Sequence, residues 1–185
     1  YTRNQVIAGL TGNTRDKLTT SREGVMYVEE HKFDVFFVTL TKSHDRFSAT
    51  TRYKDYPITR DMFHWQSQSS TRVESKRGKR HWDHKNLGIT PLLFVRNEPK
   101  DERDETQPFL FLGPLDFVSS EGERPMSIPW KLEVPMPARF FDRHAAAQFH
   151  SRQVRRSHAP ERDHRDRGLA QLRATDARDL WRGDG

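Results

Sequence analysis

The sequence predicts a mainly β domain of the α+β class: a curved antiparallel sheet or open barrel with one or two short helices, followed by a disordered C-terminal tail. Three observations carry this expectation. From Gly24 onward, β-branched and aromatic residues recur with a period of two. Prolines at 57, 91, 108, 114, 125, 129, 135 and 137 interrupt the chain too often for long helices and favour short edge strands, bulges and turns. After Asp142 the composition shifts abruptly: Arg becomes the only strong base, His is frequent, and apolar residues are sparse until Leu169, Leu172, Leu180 and Trp181. The domain is therefore placed at 1–142 and the tail at 143–185, where too little surface can be buried to fold alone.

The first element is a short helix over Arg3 to Leu10, with Val6, Ile7 and Leu10 at helical spacing and Gly9 and Gly12 limiting its length. Val25 to Val28 and Val35 to Thr41 read as strands, joined by a polar hairpin connection over Glu29 to Asp34. The second is apolar on both faces for five positions, as a strand buried on both sides requires. Further strands are expected at Phe63 to Gln68, Leu92 to Arg96, Phe109 to Leu112, Asp116 to Ser119 and Ile128 to Val134. Two polar insertions interrupt them, Ser69 to Asn86 and Asn97 to Gln107. The latter reads as a mobile hairpin loop.

With 185 residues the chain suits one domain plus an appendage. Hydrophobic residues at 33% and a mean hydropathy of -0.95 leave part of it solvated. It has no cysteine, which excludes disulfides, thiolate metal sites and a Cys nucleophile and fits a reducing interior. No apolar run approaches the ~20 residues of a membrane span, and no secretory signal is visible. A cytoplasmic location without membrane contact is expected. Opening on Tyr1 rather than Met, the chain reads as a piece of a longer polypeptide.

The net charge of +6 is unevenly spread: 22 Lys and Arg oppose 20 Asp and Glu in residues 1–142, and 10 oppose 6 in 143–185. Within the domain the bases concentrate in one place. Arg72, Lys76, Arg77, Lys79, Arg80 and Lys85 face only Glu74 and Asp83, with Gly78 and several serines between them. Such a loop either neutralises phosphates or is simply solvated.

Enzymatic signatures are missing. No phosphate-binding GxxxxGK[ST] loop and no G-x-S-x-G elbow occurs. His81-Trp82-Asp83-His84-Lys85 lacks the His-Lys spacing of a phospholipase-D-type nuclease, and reads as a solvated loop or, less well, as metal ligands His81, Asp83 and His84. No cofactor is expected, and no catalysis of its own.

Tyr53-Lys54-Asp55-Tyr56-Pro57 and Phe63-His64-Trp65-Gln66-Ser67-Gln68 combine flat π-faces with amides and carboxylates, as a nucleobase pocket needs. On a strand Phe63, Trp65 and Ser67 point one way and His64, Gln66 and Gln68 the other. The aromatics then serve either as pocket walls or as core beneath a wet polar face.

The runs GVMYVEE, VFFVTLTKS, TTRYKDYPITRDMFHWQSQ, LLFVR and FLFLGPLDFVSSEGERPMSIPWKLEVPMP, in this order over roughly residues 22 to 140, resemble the uncharacterised C-terminal domain of bacterial DEAD/DEAH-box helicase proteins. Those proteins often carry a phospholipase-D-type nuclease, so the resemblance implies helicase and nuclease modules as partners and DNA as ligand. Some relatives look like modification-dependent restriction enzymes, whose terminal domain is similar to the SET-and-RING-associated fold and flips a modified cytosine into a pocket. The implied base contacts are Tyr53, Asp55, Phe63, Trp65 and Gln68, with Arg72, Lys76, Arg77, Lys79 and Arg80 on the DNA backbone. A different reading is a structural coupling domain that touches DNA nonspecifically and exposes an apolar patch of Trp130, Leu132, Val134 and Met136.

Overall fold

The computed structural model describes residues 1–12, 24–41 and 55–144. These form a mainly β domain around one seven-stranded mixed sheet that does not close into a barrel. Its strands are β1 (Val25–Val28), β2 (Phe33–Thr39), β3 (Tyr56–Thr59), β4 (Met62–Gln66), β5 (Thr90–Arg96), β6 (Leu110–Phe117) and β7 (Ser127–Leu132), in the spatial order β1-β2-β5-β6-β7-β4-β3. All neighbours are antiparallel except β2 and β5, which run parallel from Phe33↔Thr90 to Thr39↔Arg96. A 3-10 turn at Glu29–His31 closes the β1–β2 hairpin, ending on Lys32 in the left-handed region.

The helices are α1 (Arg3–Thr11) and α2 (Lys76–Trp82), with a further helical stretch at 138–144. In α1 the capping box is complete: Thr2 Oγ1 accepts from the Gln5 amide while Gln5 Oε1 accepts from the Thr2 amide. Of the tail expected over 143–185, only the first two residues are described. Tyr53 also lies outside the described residues.

Both faces of β2 and β5 are buried, in keeping with their double-sided apolar runs. On one face Val35, Phe37, Leu92 and Phe94 pack beneath Val6 and Ile7 of α1. On the other, Phe36, Val38, Leu93 and Val95 meet Phe63, Trp65, Leu115, Ile128 and Trp130. This second core brings together side chains from both ends of the strand order, so the sheet must curl around it.

Strand β6 makes the curl. Leu110 to Pro114 pair with β5, whereas Leu115 to Phe117 pair with β7. The register slips between Leu93 and Phe94, opposite Gly113, whose φ of 108° lies where only glycine is at ease. The sequence suggests two strands here, broken at Gly113-Pro114. The structure joins them because a bulge absorbs the glycine without ending the ladder.

Three elements were not expected, one of them the helical stretch at 138–144. Tyr56–Thr59 is an edge strand, where Pro57 needs no amide on its open side. The insertion Ser69 to Asn86 contains α2, capped by Ser75 Oγ, which accepts from the Gly78 amide at 3.1 Å. The Asn97–Gln107 insertion does form a hairpin, with a bridge between Lys100 and Thr106. Its base is held by Arg96, which donates to Thr39 Oγ1 at 3.0 Å and lies 4.5 Å over the Phe109 ring.

Candidate nucleic-acid interface

The strand alternation decides where the expected base contacts go. Phe63 is 0% exposed and Trp65 4%, both inside the curled core, with Trp65 stacked on Phe36 at 4.5 Å and 8°. Neither ring offers a free face to a base, which corrects the reading of these two as walls of an open pocket. Asp55 accepts from the Gln66 amide at 2.9 Å and so anchors the end of β4. Gln68 accepts from Arg77 across the turn that leads to α2.

The outward face of the same strands carries what the core face does not. Tyr56 and His64, opposite one another in register, stack at 4.6 Å and 15° and are half-buried. Gln66 Nε2 donates to Ser127 Oγ on β7 at 3.1 Å. Tyr56, His64 and Gln66 were missed as candidates, although the polar set 64, 66, 68 signalled the wet face. The Asp61 carboxyl is held below its ordinary range, chiefly by the Thr59 hydroxyl at 2.6 Å.

The basic residues are mounted on α2 and the turns that flank it. Arg72 and Lys76 are exposed and form no ion pair with any described residue. Lys79 is 3.3 Å from Glu74, an exposed pair that holds it weakly. Arg80 reaches back to the buried Asp34 and lies 4.5 Å over Tyr27. Lys85 is 3.0 Å from Asp116. Lys76, Lys79 and Arg80 therefore project from a docked helix, not from a loop, with Arg72 before it and Lys85 after it.

The docking is close. A Cβ on Gly78 would stand 2.1 Å from the Arg72 carbonyl oxygen and 2.4 Å from that of Val73. Trp82 Nε1 donates to the Val73 oxygen at 3.1 Å, and the Val73 amide donates to Glu123 at 3.0 Å. His81, fully buried, sets its ring edge-on against Phe36 and Trp65.

The metal reading has no geometric support. His81 turns toward Asp34, and Asp83 Oδ1 accepts from Asn86 at 2.6 Å. Nε2 of His84 must accept, because its partner at 3.2 Å is the Phe117 amide. Nδ1 therefore carries the proton and donates to the Ile89 oxygen at 3.1 Å. Among the described residues no group of three His, Asp or Glu is placed to hold an ion.

Next to His84 an open cleft of about 310 Å³ is lined by Lys85, Thr90, Pro91, Leu115, Asp116 and Glu133 among others. It holds no aromatic wall besides the committed imidazole. The apolar patch of the coupling reading is not there either: Trp130, Leu132 and Met136 are at most 2% exposed, and of the four only Val134 reaches solvent. No helix among the described residues is long and apolar enough to cross a membrane.

Fold and surface thus define a mainly β, open-sheet domain with a basic helix docked on one end of its core. The chain belongs to the family described as a domain of unknown function (DUF3427), whose model matches residues 1–144. No curated protein matches it.

Proposed function

We propose that this domain is a non-catalytic DNA-binding module that serves a helicase and nuclease machine and recognises a modified cytosine. The observation that supports it best is the docked basic helix: Lys76, Lys79 and Arg72 face solvent while Gly78 and His81 are buried beneath them. Positions fixed in this way contact phosphates without first losing the freedom of a loop.

Base recognition by flipping draws on the resemblance to target-recognition domains. With Phe63 and Trp65 in the core, the rings at hand for it are Tyr56 and His64, with Gln66 as the amide beside them. The helicase and nuclease partners likewise come from the resemblance. Of the four apolar residues named for the coupling alternative, Val134 alone is exposed.

The test is binding of the full chain to matched duplexes containing cytosine, 5-methylcytosine or 5-hydroxymethylcytosine over a range of salt. Each phosphate neutralised contributes a slope of about −0.9 in log K against log salt. Arg72→Ala with Lys76→Ala should weaken all three duplexes alike and flatten that slope. Tyr56→Ala should narrow the difference between duplexes. Equal binding of the three duplexes refutes the modified-base reading, and no binding refutes the module.

A further inference from the structure

Asp34 opens the inner face of β2 with its side chain wholly buried, and two basic residues of α2 meet it at a single oxygen. Arg80 Nε is 3.4 Å from Oδ2, the far end of hydrogen-bonding range. His81 Nδ1 is 3.2 Å from the same oxygen but out of hydrogen-bonding alignment. Asp34 Oδ1 and His81 Nε2 are buried and have no partner among the described residues. The carboxylate is close to two cations' positions and well served by neither.

Among the described residues no further ion pair or hydrogen bond reaches the side chain of Asp34 or of His81. Facing the imidazole are Asp34 and Phe36 from β2, Trp65 from β4 and Arg80 from its own helix, whose guanidinium rests on Tyr27 of β1. A buried carboxylate requires one cation. Arg80 supplies it in the free chain, and a second positive charge on His81 would leave this buried chamber with a surplus. Of the three, only Arg80 reaches solvent, with 19% of its side chain exposed. It alone can meet a phosphate.

We propose that anion binding at α2 is coupled to proton uptake by His81: a phosphate draws Arg80 from Asp34, and the imidazole takes one proton from solvent and replaces it as the counter-ion. The ring then turns into line, and Nδ1–H donates to the carboxylate oxygen that lies 3.2 Å away before the exchange. One cation leaves the chamber and one forms within it, so the buried charge stays balanced. The DNA ligand rests on the function proposed above, whereas the exchange at Asp34 does not.

Two measurements on the full chain separate these. Without DNA, Arg80→Gln removes the cation from Asp34, and the nitrogen-15 signals of the His81 ring, identified by their loss in His81→Asn, should move toward imidazolium at pH 7 relative to the parent. Unmoved signals overturn the exchange. With a short duplex, calorimetry in two buffers of different ionisation enthalpy should report uptake approaching one proton, and affinity should rise by up to about tenfold for each pH unit lowered.

His81→Asn, or His81→Gln if the first is unfolded, should abolish that uptake and still bind at pH 8. Binding without proton uptake overturns the coupling and leaves the DNA reading standing. No binding overturns the DNA reading and this ligand with it, while the Arg80→Gln spectrum still decides the exchange.

Discussion

Gly78→Ala and Gly9→Ala are one substitution in two helices, and the structure gives them opposite signs. Neither glycine has a positive φ, so backbone freedom is not why either is there. In α1 a Cβ on Gly9 meets nothing within 4 Å, and alanine should stabilise the protein by about 0.5–1 kcal/mol through helix propensity. In α2 the same atom would stand 2.1 Å from the Arg72 oxygen, where ordinary contact begins at 3.4 Å.

That neighbour is backbone within a turn tied down by Ser75 and Glu123, so the helix must retreat by roughly 1 Å. Retreat strains the Trp82–Val73 bond and opens the contact of His81 with Phe36 and Trp65. Overpacking of this kind costs about 1–3 kcal/mol. Set against the propensity gain, the net loss should be up to about 2.5 kcal/mol. Urea unfolding measures both variants, the midpoint moving with little change in slope. If Gly78→Ala stabilises the chain as Gly9→Ala does, α2 is not docked against residues 72–73 and the mounting described above is wrong.

Trp65→Ala should cost about 3–5 kcal/mol in the same assay, as removal of a core ring does, while Arg72→Ala and Lys76→Ala stay within about 0.5 kcal/mol of the parent. A Trp65 variant that kept its stability and lost only DNA binding would return that ring to the interface. Burial, and next the neighbouring Arg143, hold the His144 imidazole below its ordinary value of 6.5. A lowered folded-state pKa means that this contribution is complete above 6.5 and is lost as pH falls through the folded value. Unfolding midpoints should therefore drop between pH 7.5 and 5, and less so in His144→Gln. An identical drop in that variant would assign the acid sensitivity elsewhere.

Much of the sheet was legible because its signal is local. The runs around Val25, Phe36, Leu93 and Ile128 carry the alternation or double-sided burial of the strands they become. What could not be read depended on distant partners. Helix α2 hides because its buried face consists of Gly78 and His81, neither an apolar marker, and its stability comes from docking on Phe36 and Trp65 of the sheet. The break seen at Gly113-Pro114 is a bulge only because β5 supplies the matching register slip. Asp34 fell within the polar connection before β2, yet it pairs with Tyr27 and Pro91 inside the ladder.

The basic residues were legible as a composition and illegible as a surface. Seven residues are too few for a helix to persist alone, since nucleation outweighs the few hydrogen bonds gained. Whatever Lys76 and Lys79 contact, their placement is therefore a property of Gly78, His81 and Asp34, none of which faces a ligand. This separates two kinds of mutation that composition treats alike. Removing a solvent-facing base takes away one contact and its share of the salt dependence, with the fold intact. Disturbing the residues beneath the helix releases all of the bases into a loop at once, so the charge is unchanged but must be ordered anew at each encounter. The DNA-binding reading thus stands or falls on whether affinity follows the docking of α2 as well as its charge.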